Sequence, residues 1–128
     1  MTMKALKDHP LVNAVAEMTG LRYLTDEETR DFKTRADSDR FERETGRISE
    51  QADLVAIVNA AHVAIQNGAR IIDADAIIPH LGRGHRPRLT RIVRLSPLEI
   101  VVNDDGSFRT RASGRFPQTI LDGRHGPA

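Results

Sequence analysis

The apolar positions of this chain follow a helical period as far as Gly82 and a strand period after it. Pro10 is placed to open a helix in which Leu11, Val12, Val15, Ala16 and Met18 form one apolar face, and Gly20 ends it. Thr25 followed by Glu28 is a capping box, each side chain reaching the other residue's backbone N–H, so a second helix is predicted from Asp26. From Asp26 to Glu44 almost every residue is charged, and Phe32, Ala36 and Phe41 leave a single narrow apolar stripe. Gly46 interrupts this pattern, Ser49 is the next N-cap, and a third helix is predicted from Glu50 to Asn67. Apolar residues from Leu54 to Ile65 take up so much of its circumference that it should be buried on more than one side and form the centre of the fold. Asn67-Gly68 caps it, and Ala69 to Ile72 make a short extended link. Asp73 then caps a brief helix that Pro79 stops.

Beyond Gly82, Leu89, Arg91, Val93 and Leu95 alternate with Thr90, Ile92 and Arg94, which predicts a strand. Leu98, Ile100 and Val102 alternate in the same way before Asp104-Asp105-Gly106, a hairpin signal, and Phe108, Thr110 and Ala112 return as the partner strand. Ser96-Pro97 separates the two runs, since proline cannot donate to a ladder. The predicted class is α+β: an N-terminal bundle of three to four helices packed around residues 54 to 65, with a C-terminal antiparallel β-hairpin or small sheet. Residues 1–128 are expected to form a single domain, with a helical part over 1–82 and a basic loop, hairpin and tail over 83–128. Within that tail, RHGPA reads as disordered.

Charge divides at the same place. The formal net charge of +1 hides an excess of acid before Gly82 and an excess of arginine after it, where no lysine occurs. The stretch Arg83-Gly84-His85-Arg86-Pro87-Arg88-Leu89-Thr90-Arg91 is the leading functional candidate, read as a loop in which glycine and proline hold the side chains out. Guanidinium groups suit phosphate because the planar fork donates two hydrogen bonds at once, and a cluster of them supplies the sequence-independent part of nucleic-acid affinity. Alternating strand residues would extend this surface through Arg94, Arg109, Arg111 and Arg115. The segment has no interleaved aromatics for base stacking and no helix-turn-helix or zinc-finger spacing. Its arginines are equally suited to solubilising the chain or to pairing with the acidic helix.

Other chemistry finds less support. The absence of cysteine rules out disulfides, thiolate metal sites and cysteine nucleophiles, and no cofactor is expected. His9, His62, His80, His85 and His125 show no i,i+3 or i,i+4 pair on a predicted helix, so no metal site is expected, and His62 reads as a buried, hydrogen-bonded core residue. Asp73 and Asp75 are accounted for by helix capping, Asp104 and Asp105 by turn formation. Ser49, Ser96 and Ser107 lack a nucleophile-elbow context. No segment reaches the ~18 apolar residues of a membrane span, and a cytoplasmic location is expected.

Residues Ala60 to Ile78, AAHVAIQNGARIIDADAII, look like the end of the long helix, the loop and the short helix of histone folds and of the lids of AAA+ ATPases, where a Gly-Arg-x-Ile link precedes a capped helix. The likeness covers about 20 residues, lacks the appended hairpin, and implies dimerisation through the long helix and DNA contact near Arg70. The resulting expectation is a small non-enzymatic binding or regulatory protein of bacterial or phage type that acts through the Arg-rich segment and hairpin. Its partner is then either nucleic acid or an acidic protein surface, the latter anchored by Phe108, Phe116 or Tyr23. The alternative is a structural subunit that self-associates, as a homodimer for example, through helix 50–67.

Overall fold

A computed structural model describes residues 8–114. The predicted helix at Pro10 forms as α1 (Pro10–Thr19), with the His9 ring accepting a hydrogen bond from the Leu11 N–H at 3.1 Å. The charged stretch that follows is two helices rather than one: α2 (Asp26–Arg30) and α3 (Arg35–Thr45). Thr25 and Glu28 make the reciprocal capping box of α2. Thr34 restarts the chain as a second N-cap, its hydroxyl accepting from the Asp37 N–H at 3.1 Å. The break lets Phe32 and Phe41 meet edge to face, with ring centroids 4.9 Å apart.

Gly46, at φ 66°, is both the C-cap of α3 and the N-cap of α4 (Arg47–Gln66), a left-handed corner that only glycine adopts without strain. The long helix therefore starts at Arg47 and not after Ser49, whose N–H and hydroxyl are instead held by the Glu42 carboxylate. Leu54, Ile57, Ala60, Ala61 and Ala64 form its buried stripe, and α1, α3 and the segment over 71–80 pack around it. Most of its apolar surface is thus covered within the chain, leaving Val63 38% exposed. His62 is exposed rather than buried, because it falls on the face opposite Leu54 and Ile57.

The link after α4 is β1 (Ile71–Ile72), followed by α5 (Ala74–Ile77), capped by Asp73, and a 3₁₀ turn (Ile78–His80). The predicted strand at 89–95 is instead a helix, α6 (Arg86–Leu95). Leu89, Ile92 and Val93 stand at i, i+3 and i+4, a helical pattern that overrode the local alternation, and Pro87 fits the first turn. The hairpin forms as β2 (Leu98–Val102) and β3 (Phe108–Ala112). Gly106, at φ 86°, closes its turn and donates to the Asn103 carbonyl at 2.9 Å.

The three strands make one antiparallel sheet in the order β1-β2-β3, so the link after α4 is tied to the hairpin. Ile100, opposite Ile72 and Thr110, points into the core, while Val101, opposite Ile71 and Arg109, points outward. The α+β class is as predicted, with helices followed by a small C-terminal sheet. One core cluster unites Leu11 and Val15 of α1, Leu54 of α4, Ile72 of β1, Leu89 of α6 and Ile100 of β2. The tail RHGPA, Arg115 and Phe116 lie outside the described residues. Among the described residues no helix is long and apolar enough to cross a membrane.

Arg47 ties the acidic arm to this core. Its side chain is 8% exposed and forks onto both oxygens of Glu28 at 2.8 Å, meets Glu50 at 2.9 Å, and donates to the Arg22 and Tyr23 carbonyls. The Arg47 guanidinium, aided by the Thr25 N–H, holds the Glu28 carboxyl down at about 2. Partial burial pushes Glu50 up, but hydrogen bonds from Arg47 and Arg22 outweigh it and leave its pKa below the usual carboxylate value. Arg47→Ala would strand two carboxylates and several carbonyls together. It is expected to cost about 3 kcal/mol, read as a lower urea midpoint at unchanged slope. Glu28 ionises near its ordinary 4.5 in the unfolded chain and near 2 in the folded one, so its contribution is complete above 4.5 and is lost as pH falls toward 2. Unfolding free energy followed down to about pH 2.5 should accordingly fall less steeply in Glu28→Gln than in the parent protein.

Candidate functional site

Most of the candidate arginines lie on α6 and the turn that leads into it, so the predicted loop is largely a helix. Arg86, Arg88, Arg91 and Arg94 project from α6, and Arg83 lies in the turn before it. Leu89 and Val93 are buried on the inner side, which turns Arg88, Arg91, Arg94 and Leu95 outward along the remaining circumference. This stripe, ~15 Å long in a helix of 10 residues, faces solvent, with about half of the Arg88 and Arg94 side chains exposed.

The arginines have different tasks. Arg86 turns back and donates to the Leu81 carbonyl at 2.8 Å and to the Pro79 carbonyl at 3.4 Å, bracing the turn between the 3₁₀ segment and α6. Arg88 meets Asp53 of α4 at 2.8 Å and the His85 ring at 3.5 Å. Arg94 leans toward Asp75 of α5 at 3.9 Å, across an exposed rim where such a pair is weak. The side chains of Arg83 and Arg91 have no partner among the described residues.

Arg109 and Arg111 stand apart from this group, on the outer face of β3. Arg111 pairs with Glu99 across the ladder at 2.7 Å, and Arg109 donates to Asn103 at 3.0 Å. Of the elements framing them, β3 packs on β2 and α1, whereas α6 packs on α1, α5 and the 3₁₀ turn. The structure therefore assembles five of the seven described candidates into one surface and places two on another. The hairpin tip is acidic: Asp104 meets Arg70 at 3.4 Å, while the Ser107 hydroxyl and N–H hold the Asp105 pKa below its usual value.

The N-terminus of α6 has no side-chain cap and no acidic residue in its first turn. A helix start normally attracts an anionic side chain to its unpaired N–H groups and positive dipole end. Here the first turn carries Arg86 and Arg88 instead, and the carboxylate that reaches it is Asp53 of α4, paired with Arg88.

A second concavity, of roughly 360 Å³, lies between α2 and α3, walled by Phe32 and Phe41 and rimmed by Glu27, Asp31, Asp37 and Glu44. The same splitting of the acidic stretch that pairs the rings opens this cleft. No group of three or more His, Cys, Asp or Glu among the described residues is arranged to hold a metal ion. Compared with protein-family models, with curated proteins and with solved structures, the chain matches none, and the site is read from its own geometry.

Sequence reasoning missed the helical presentation of this surface. The available signal was Pro87 ahead of Leu89, Ile92 and Val93. Arg86→Ala is expected to cost about 1 kcal/mol, because the charged hydrogen bond to the part-buried Leu81 carbonyl and the weaker one to Pro79 are lost. Arg83→Ala and Arg91→Ala should stay within about 0.5 kcal/mol of the parent in thermal or urea unfolding.

Proposed function

We propose that the protein is a non-enzymatic nucleic-acid-binding protein of regulatory type, and that the outer face of α6 is the surface that meets the polyanion. The observation that carries this reading is the exposed set Arg83, Arg88, Arg91 and Arg94, which runs from the turn before α6 to its last turn, on a helix with no acidic residue of its own in its first turn. Each guanidinium can pair with a phosphate in a bidentate way, and the field of the helix start adds to that of Arg83 and Arg88.

The weak Arg94–Asp75 rim pair supports the same reading, because exchanging that exposed carboxylate for a phosphate costs little. Arg88 is held more firmly by Asp53, so Arg83, Arg91 and Arg94 are the principal contacts. The acidic arm α2–α3 carries the opposite charge and is kept off this surface by its attachment to Arg47. Such a division orients the protein as it approaches a polyanion and speeds productive encounter.

Titration of labelled duplex and single-stranded nucleic acid at two salt concentrations tests the reading. Binding is expected to weaken as salt rises, and each of Arg83→Ala and Arg94→Ala should reduce the salt slope by about 1. Absence of binding at low salt would overturn the reading and direct the search to an acidic protein partner.

A further inference from the structure

The α6 surface has a second property that phosphate binding leaves unexplained, and the following rests on the nucleic-acid reading above. Arg91 sits at the middle of the outer stripe with no described partner, and Leu95, one turn further on, is 71% exposed. Arg88 and Arg94 lie to either side of that line and already lean away from it, toward Asp53 and Asp75. The centre of the face thus pairs a hydrogen-bonding fork with an apolar side chain, and its flanks carry the remaining charge.

The surroundings present this face lengthwise. α5 and the 3₁₀ turn, the tight turn over 81–85 and α6 form two helical pieces joined by a short connection that Arg86 braces from within. A helix of this kind, ~10–12 Å across with its side chains, matches the ~12 Å width of the major groove of B-form DNA. Single-stranded binding relies on aromatic platforms, and the outer stripe of α6 has none. The hairpin tip carries Asp104 and Asp105, whose charge opposes entry beside phosphates, which leaves α6 as the reading element.

We infer that α6 enters the major groove of duplex DNA, where Arg91 donates to the O6 and N7 edge of a guanine and Leu95 packs on a thymine methyl. Arg83 and Arg94 hold the phosphates on either side. An arginine fork matches the paired acceptors of guanine, and the thymine methyl is the apolar feature that the groove offers. Arg91 and Leu95 are then specificity-determining residues, distinct in role from the arginines that supply affinity.

The test uses the full chain. Duplexes bound from a random-sequence pool at about 0.15 M salt are sequenced. The selected duplex and a scrambled one are then titrated with the parent protein, Arg91→Lys and Leu95→Ala. A shared motif containing guanine is expected. Arg91→Lys keeps the charge but loses the fork, so it should weaken the selected duplex roughly ten- to hundredfold while leaving the scrambled duplex nearly unchanged. Replacing thymine by uracil in the selected duplex removes the methyl group and should weaken the parent protein severalfold but not Leu95→Ala.

Equal binding of all duplexes, preference for single strands, retained discrimination in Arg91→Lys, or indifference to uracil would each overturn the inference while leaving nucleic-acid binding standing. Failure to bind any nucleic acid at low salt would overturn both.

Discussion

Close packing along α4 is the constraint on which the rest of the structure depends. Leu54 and Ile57 fill the middle of the core, and Ala60, Ala61 and Ala64 keep the second half of the helix slim enough for its neighbours to approach. α1 lies on one side, α5 and the 3₁₀ turn on another, and β1 follows directly from the helix end. Because protein interiors are close-packed, moving this stripe would displace all of them together. Ile72 and Ile100 extend the same core into the sheet, and Leu89 and Val93 fasten α6 to it. The orientation of the arginine face is therefore a consequence of core packing, set from inside by Leu89 and Val93.

A second interaction governs where the acid goes. A charged arm such as α2–α3 buries little apolar surface, and none of its residues is fully buried. Arg47 compensates by gathering Glu28, Glu50 and two loop carbonyls around one guanidinium. Such an ion cluster adds less to net stability than apolar packing would, since desolvation offsets much of the attraction. Its value lies in geometry: the fork fixes the direction of the arm and with it the segregation of acidic and basic surfaces.

Arginine serves three purposes within a few residues of α6. Arg86 is a structural brace, Arg88 and Arg94 are flanking cations with carboxylates in reach, and the Arg91 side chain has no partner among the described residues. The planar guanidinium permits all three, capping carbonyls when folded back and pairing with anions when extended. The opposed sheet arginines illustrate the same versatility, since Arg111 neutralises the buried Glu99 across the ladder. Counting arginines along the chain does not separate these roles, because the separation rests on which carbonyl or carboxylate lies within about 3 Å.

Local chemistry was legible in the sequence where the deciding groups are close neighbours in the chain. Pro10 and Gly20 bound α1, Thr25 and Glu28 cap α2, Asp73 caps α5, and Asp104-Asp105-Gly106 turns the hairpin, each through contacts within a few residues. The α+β class and the central position of the long helix followed from apolar periodicity for the same reason. Three outcomes depended on distant partners. Residues 89–95 satisfy both a strand and a helix pattern, and burial of Leu89 and Val93 against the helical core selected the helix. The acidic stretch divided at Thr34, where α3 turns back toward α4 and Phe32 reaches Phe41. His62 was turned to solvent by the rotation that buries Leu54 and Ile57. The sequence by itself determined the elements closed by local hydrogen bonds and the uneven distribution of charge. Only tertiary packing decided which arginines are braces and which are exposed, because that depends on long-range burial and on partners such as Asp53 that lie far away along the chain.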